Sequence, residues 1–230
     1  MNLWLCPLLA FLCGSIPFGF IFGKIKGIDI REHGSGNIGA TNVWRVLGKS
    51  MGLPCFLLDV IKGLLPTVLA ISLIQYTGMK NPMILPFLHD HVEIHPMLTA
   101  QILQVVSGLC AVLGHNYSPW VRFKGGKGIA TSAGVLIALM PAAVVILVVV
   151  WLVVFLLSRY VSLASIIAAA ALPLLTLWGS WFHGKIADGT WNKPLLVFSI
   201  LIAVLAIYKH RSNITRLRNG TENRFSKKSS

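Results

Sequence analysis

Three runs of this 230-residue chain hold the side chains that could do chemistry. The first, GSGNIGATNVWR over 34–45, places Ser35, Gly36, Asn37, Thr41 and Asn42 ahead of Arg45. Short hydroxyls and amides hydrogen-bond close to the backbone, and a planar guanidinium binds phosphate through two parallel hydrogen bonds. The second, GHNYSPWVRFKGGKGIATSAG over 114–134, sets Arg122, Lys124 and Lys127 among Gly125, Gly126 and Gly128. Glycine lets backbone N–H groups approach an anion with no Cβ in the way; a helix start adds partial positive charge and lysine a full one. Such a loop suits phosphate, although a basic turn can equally anchor topology at lipid headgroups. The third, KHRSNITRLRNGTENR over 209–224, contains His210, a candidate for orienting or polarising a hydroxyl, together with Asn213. Its bland reading is an interfacial stop-transfer cluster. A shorter patch, RYVSLAS over 159–165, puts Ser162 and Ser165 near one face.

Familiar nucleotide motifs do not account for these loops. Gly34, Gly36 and Gly39 match G-x-G-x-x-G and Asp59 lies 20 residues beyond, but a dinucleotide fingerprint follows a β-strand in a βαβ unit. Gly126-Lys127 is followed by Gly128 rather than Ser or Thr, and position 121 is Val, so this is not a P-loop NTPase. His89, Asp90, His91, Glu93 and His95 are metal-ligand types, yet their spacing fits no template and reads as a solvated loop, so neither metal nor cofactor is expected. Asp59 and Lys62, at i and i+3 within an apolar run, either pair with each other or point into a site.

The elements that position these loops are membrane helices. The chain is 55% hydrophobic and 12% charged, with a mean hydropathy of +0.75, too apolar for an ordinary soluble domain. The net charge of +13 falls in short blocks between apolar runs, not in one stripe, so nucleic acid is not an expected partner. Cys6, Cys13, Cys55 and Cys110 lie singly in apolar stretches and read as small buried hydrophobes. The N-terminal apolar run has no basic residues before it and no clear cleavage site, so it is expected to stay as a span. Its Gly14, Ser15, Pro17, Gly19 and Gly23 suggest close helix packing.

The expected fold is an all-α membrane protein in a single domain over 1–230. Its seven expected spans lie near 3–23, 53–74, 98–113, 128–140, 142–158, 161–178 and 194–208. Gly128 to Ser158 as one helix would be about 46 Å long, more than a bilayer core of about 30 Å. A turn near Pro141 places the loops at 24–50, 114–128 and 159–160 and the C-terminal tail on one side, with 16 of the 20 basic residues. The positive-inside tendency makes that side cytoplasmic, with the N-terminus outside and the C-terminus inside. All the unusual polar loops then face the cytoplasm, where they could hold two phosphate-bearing molecules, one with an acyl chain in lipid. The sequons at Asn116, Asn213 and Asn219 fall on that side, so glycosylation is not expected.

Taken together and in order, the three runs resemble the signatures of the bacterial acyl-phosphate:glycerol-3-phosphate acyltransferases, integral membrane enzymes with seven spans. GSIPFG in the first span and RYVSLAS fit as well, while the 75–98 segment is longer and richer in His than the family pattern. The resemblance implies transfer of a fatty acyl group from acyl phosphate to sn-glycerol 3-phosphate, as the first step of phospholipid synthesis at the bacterial cytoplasmic membrane. It further implies that Arg45, Lys127, His210 and Asn213 are catalytic. Ser35, Arg45 and Lys127 would hold phosphate, Thr41 and Ser165 would place the acyl phosphate, and His210 with Asn213 would position glycerol phosphate. Gly36, Asn37, Gly125, Gly126 and Gly128 would line the substrates.

Acyl phosphate is already activated, so proximity and stabilisation of negative charge suffice. The hydroxyl proton would pass to a substrate phosphate or to His210. Membrane lipid and a soluble acyl-phosphate-producing enzyme are the further expected partners. The competing classes are a transporter or channel for a phosphorylated solute and a lipid-headgroup binding protein. Release of inorganic phosphate separates the enzyme from both.

Overall fold

The computed structural model describes residues 4–225, with the side chains of His89 and Asp90 outside the description. The chain divides between Leu139 and Met140 into two compact units. Each is mostly helical.

In the first unit the opening apolar run is two helices, α1 (Leu5–Ser15) and α2 (Phe18–Ile25). Pro17 causes the break: it has no N–H to donate, and it drives the residue before it out of helical geometry. Ile16 is accordingly extended, with φ −60° and ψ 118°. The short α3 (Ala40–Leu47) leads at Gly48 into the 25-residue α4 (Lys49–Leu73), which starts four residues before the expected span at 53. Asp59 and Lys62 therefore lie well inside α4. Next comes α5 (Met97–Asn116), which continues three residues past its expected end, and then α6 (Ile129–Leu139).

Helices α1 and α5 meet backbone to backbone. A Cβ on Gly14 would collide with Ala111 O, and one on Gly114 with Phe11 O, so only glycine permits this approach. The 75–98 segment is not wholly irregular. It holds a 3₁₀ turn at Pro86–His91 and two-residue strands β1 (Ile74–Gln75) and β2 (Glu93–Ile94), which pair in parallel. These are the only strands among the described residues.

The second unit comprises α7 (Pro141–Ser158), α8 (Val161–Phe182), α9 (Lys193–Lys209) and α10 (Arg211–Arg218). The 31-residue apolar run is thus two helices, broken at Met140 ahead of Pro141. Helix α8 runs four residues beyond its expected end at Trp178. Helix α7 is apolar on every side and only 6% of its most apolar window is buried, the pattern of a helix solvated by lipid.

By length and composition, five helical stretches can cross a bilayer: Leu5–Ile25, Lys49–Leu73, Met97–Val121, Pro141–Ser158 and Val161–Phe182. The pair Lys193–Lys209 and Arg211–Arg218, bent by 55°, makes a sixth if it counts as one span. At 11 residues α6 is apolar but about 16 Å long, short of a hydrocarbon core of about 30 Å.

Candidate active site

The first polar loop, between α2 and α3, is held over an apolar cluster of Ile30, Ile38, Val43 and Cys55. Asn42 organises it. The side chain is buried, accepts a hydrogen bond from Ser35 N (2.8 Å), and donates through Nδ2 to Ile30 O (3.2 Å) and His33 O (3.0 Å). One amide on α3 thereby fixes the backbone of residues 30–35. Gly34 and Gly36 flank Ser35 with φ of +61° and +70°, a region that L-residues with a Cβ avoid. Asn37 accepts from Gly39 N (2.9 Å) and closes the turn into α3.

Thr41 and Arg45 follow one turn apart on one face of that helix, Thr41 half-buried and Arg45 exposed. Upstream, Arg31 grips Asp29 with its guanidinium (2.9 and 2.6 Å) and its backbone N–H (3.0 Å). Those hydrogen bonds, the side-chain pair foremost, hold the Asp29 carboxyl well below the usual carboxylate range.

The second loop is built against the end of α5. Gly126 N donates to His115 O (3.1 Å), and the Gly126 Cα rests on the His115 ring so closely that a Cβ would fall on Nε2. A Cβ on Gly125 would strike His115 O. Gly128 has φ +81°, and a Cβ there would sit 2.7 Å from Asn116 Oδ1. These three glycines are thus required by the chain's contact with His115 and Asn116. Lys127 stands among them, half-buried.

Val121, in the turn that opens this loop, packs into the same cluster as Ile30, Ile38 and Val43, so both Gly-rich loops share one apolar base. The break in the first span ties the second loop down as well. Ser15 O, freed by Pro17, accepts from Ser118 Oγ (2.6 Å), and Ser15 Oγ accepts from Trp120 Nε1 (2.9 Å). Ile16 O accepts from Lys62 Nζ (2.7 Å). Lys62 also pairs with Asp59 at 2.7 Å, both buried, and His115 Nδ1 lies 3.7 Å from the same Asp59 oxygen.

In the second unit His210 and Asn213 sit at the α9–α10 bend, both buried. His210 Nδ1 is 2.7 Å from Ala206 O. A carbonyl only accepts, so Nδ1 carries the proton; when the ring is neutral, Nε2 is the nitrogen able to accept. Ser165 Oγ donates to Val161 O (2.8 Å) and accepts from Trp151 Nε1 (3.1 Å).

The organising residue of this unit is Glu222, to which the sequence reading assigned nothing. It accepts from Asn213 Nδ2 (2.6 Å) and Ser162 Oγ (2.8 Å) on one oxygen and from Arg216 Nε (2.7 Å) on the other. Burial pushes its carboxyl up, but those three hydrogen bonds outweigh it and leave Glu222 below the ordinary range. It is the only acidic residue after Asp188 and stands among arginines, a signal the sequence did contain. Phe225 N donates to Arg159 O (3.0 Å), so the tail folds back on the RYVSLAS turn. In the His-rich segment Glu93 pairs with His95 at 3.3 Å.

The profile of the glycerol-3-phosphate acyltransferases matches residues 4–220, which take in the first two polar runs and the third as far as Gly220. The chain belongs to this family. A glycerol-3-phosphate acyltransferase of Desulforudis audaxviator is 42% identical over 221 residues, covering 95% of this chain and 93% of its own. One from Geobacter sulfurreducens is 39% identical over 226 residues and 98% of each chain. Among solved structures, PlsY, an integral membrane glycerol 3-phosphate acyltransferase, superposes in its glycerol 3-phosphate form with a TM-score of 0.79 at 37% identity, over 98% of this chain and 96% of that one. Its lysophosphatidic acid form gives 0.76 at 36%. The likeness to PlsY and the span-length apolar helices together make this chain an integral membrane protein.

Proposed function

We propose that this chain is a glycerol-3-phosphate acyltransferase that takes its acyl group from acyl phosphate, forming 1-acyl-sn-glycerol 3-phosphate and inorganic phosphate. The observation that carries the reading is the family match over nearly the whole chain. The glycerol 3-phosphate and lysophosphatidic acid forms of PlsY name an acceptor and a product that the proposal brings to this chain.

The choice of donor rests on the chemistry of the loops. The two that share one apolar base carry Arg45 and Lys127, cations suited to a phosphate leaving group. In this reading Ser35, Arg45 and Lys127 hold phosphate oxygens, with Gly36, Asn37, Gly125, Gly126 and Gly128 bringing backbone close to the substrate. Thr41 and Ser165 place the acyl phosphate. His210 and Asn213 position glycerol 3-phosphate. The acceptor hydroxyl attacks the acyl carbonyl carbon, a new ester bond forms, and the bond from carbonyl carbon to phosphate oxygen breaks. The hydroxyl proton passes to a substrate phosphate or to Nε2 of His210, whose tautomer makes that nitrogen the acceptor.

In the membrane the proposal is seven spans in the bacterial cytoplasmic membrane, α6 and α7 crossing separately, the N-terminus outside, and the polar loops on the cytoplasmic face. The charge asymmetry of the loops supports this. A soluble enzyme that makes acyl phosphate would deliver to that face.

The test is phosphate release by the protein purified in lipid, from palmitoyl phosphate with and without glycerol 3-phosphate. Release that needs both, with lysophosphatidate formed in equal amount, is the expected result. Absence of glycerol-phosphate-dependent release by folded protein would overturn the transferase reading in favour of transport or binding. Equal turnover with palmitoyl-coenzyme A as donor would overturn the choice of donor.

A further inference from the structure

The buried pair Asp59–Lys62 lies inside a membrane helix, where ionised groups are costly and persist only with a role or a partner. Each end of the pair is tied to something else. Lys62 Nζ donates to Ile16 O at the Pro17 break and lies 5.4 Å over the ring of Phe18. Asp59 Oδ1 faces Lys62 at 2.7 Å on one side and His115 Nδ1 at 3.7 Å on the other. The opposite edge of the His115 ring, Nε2, is the surface against which Gly126 packs, and His115 O accepts the Gly126 N–H. A continuous chain of contacts thus runs from the broken first span through Lys62, Asp59 and His115 to the glycine next to Lys127. The side chains of Asp59, Lys62 and His115 are at most 5% exposed, which restricts each to one arrangement.

We propose that Asp59, Lys62 and His115 are positioning residues that set the height and orientation of the Gly125–Gly128 backbone, and through it Lys127, against the phosphate group it binds. They touch no substrate themselves. The inference rests on the reading above that this loop is an anion site. A residue that only stabilised the fold would change the fraction of active protein. A residue that positions the loop changes the affinity of the loop for phosphate.

The experiment uses the full-length protein in lipid and measures kcat, the KM values for glycerol 3-phosphate and palmitoyl phosphate, and inhibition by inorganic phosphate. The main variant is Asp59→Leu/Lys62→Met, since removing both charges together leaves no lone buried charge. The second is His115→Gln, which keeps an amide at the Nε2 position beneath Gly126 and drops the nitrogen that faces Asp59. It leaves the Asp59–Lys62 pair intact, so it serves even if the double variant does not fold.

In both variants the KM of a phosphate-bearing substrate and the inhibition constant for inorganic phosphate rise together by about tenfold or more, as displacements of under 1 Å can cause. A fall in kcat alone, with KM and phosphate inhibition unchanged, overturns the proposal. Lys127→Ala keeps the two failures apart. If it weakens phosphate inhibition while the two network variants do not, the positioning role is wrong and the anion site stands. If Lys127→Ala also leaves phosphate inhibition unchanged, the reading of the loop as an anion site is wrong and the positioning role falls with it.

Discussion

Replacing Glu222 by Gln changes one atom and should loosen the hold of the C-terminal segment on Arg216 within the second unit. Gln keeps an oxygen that can accept from Asn213 and Ser162, as Glu222 Oε1 does at 2.6 and 2.8 Å. Its amide nitrogen then faces Arg216 Nε, donor against donor, where a 2.7 Å charge-assisted bond existed. Hydrogen bonds to charged groups are worth about 1.5–3 kcal/mol, and Arg216 is 32% exposed and can turn to water, so the loss is about 1–2 kcal/mol. Glu222→Ala, which strands all three partners, should cost about 3 kcal/mol.

The measurement is thermal unfolding of the purified protein in detergent across pH. Folding holds the Glu222 carboxyl below its ordinary value of about 4.5. The stabilisation is therefore complete above that value and fades as pH falls through the lower folded one. The gap between wild type and Glu222→Gln should be full at neutral pH and close in acid, below the range where Glu222 ionises. A gap that persists unchanged in acid, or the absence of one at neutral pH, would refute the assignment of Glu222 as the anchor of Ser162, Asn213 and Arg216.

Arg45→Ala and Lys127→Ala should each lose about a hundredfold in kcat/KM while still inserting into the membrane, as removal of one preorganised charge donor does; near-normal turnover in either purified variant would count against the phosphate site. Asn42→Asp keeps the acceptor for Ser35 N but turns an acceptor onto Ile30 O and His33 O. It should destabilise by about 2 kcal/mol and lower activity, and a melting temperature equal to wild type would contradict the pinning role. Replacing His89, His91 and His95 together should leave the rate within about threefold with or without a chelator, since their spacing matches no metal template; a metal-dependent activity lost in that variant would contradict this.

Much of this protein is legible in one dimension because a bilayer imposes a local rule. A backbone in hydrocarbon must satisfy its own hydrogen bonds, so a run of about 20 apolar residues is a membrane helix whatever surrounds it. Gly-rich basic loops between such runs are likewise readable from residue types, as is the ability of Asp59 and Lys62 to meet at i and i+3. The helices extend a few residues beyond the apolar windows, as at Lys49, Asn116 and Phe182, because polar or weakly apolar flanks still form helix when packed.

The roles of the small and polar residues depended on tertiary structure. Pro17 is readable as a residue that cannot continue a regular helix, but that Ser15 O and Ile16 O at the break would accept from Ser118 and Lys62 required contacts 103 and 46 residues away in sequence. The glycines of 125–128 read as room for a ligand, and the structure adds that His115 and Asn116 occupy the space of their missing side chains. Glu222 reaches Ser162 across 60 residues. Hydropathy and motif spacing record what each residue is and what its near neighbours are. Which distant donor meets which acceptor is decided only when the helices pack and each buried polar group must find a partner.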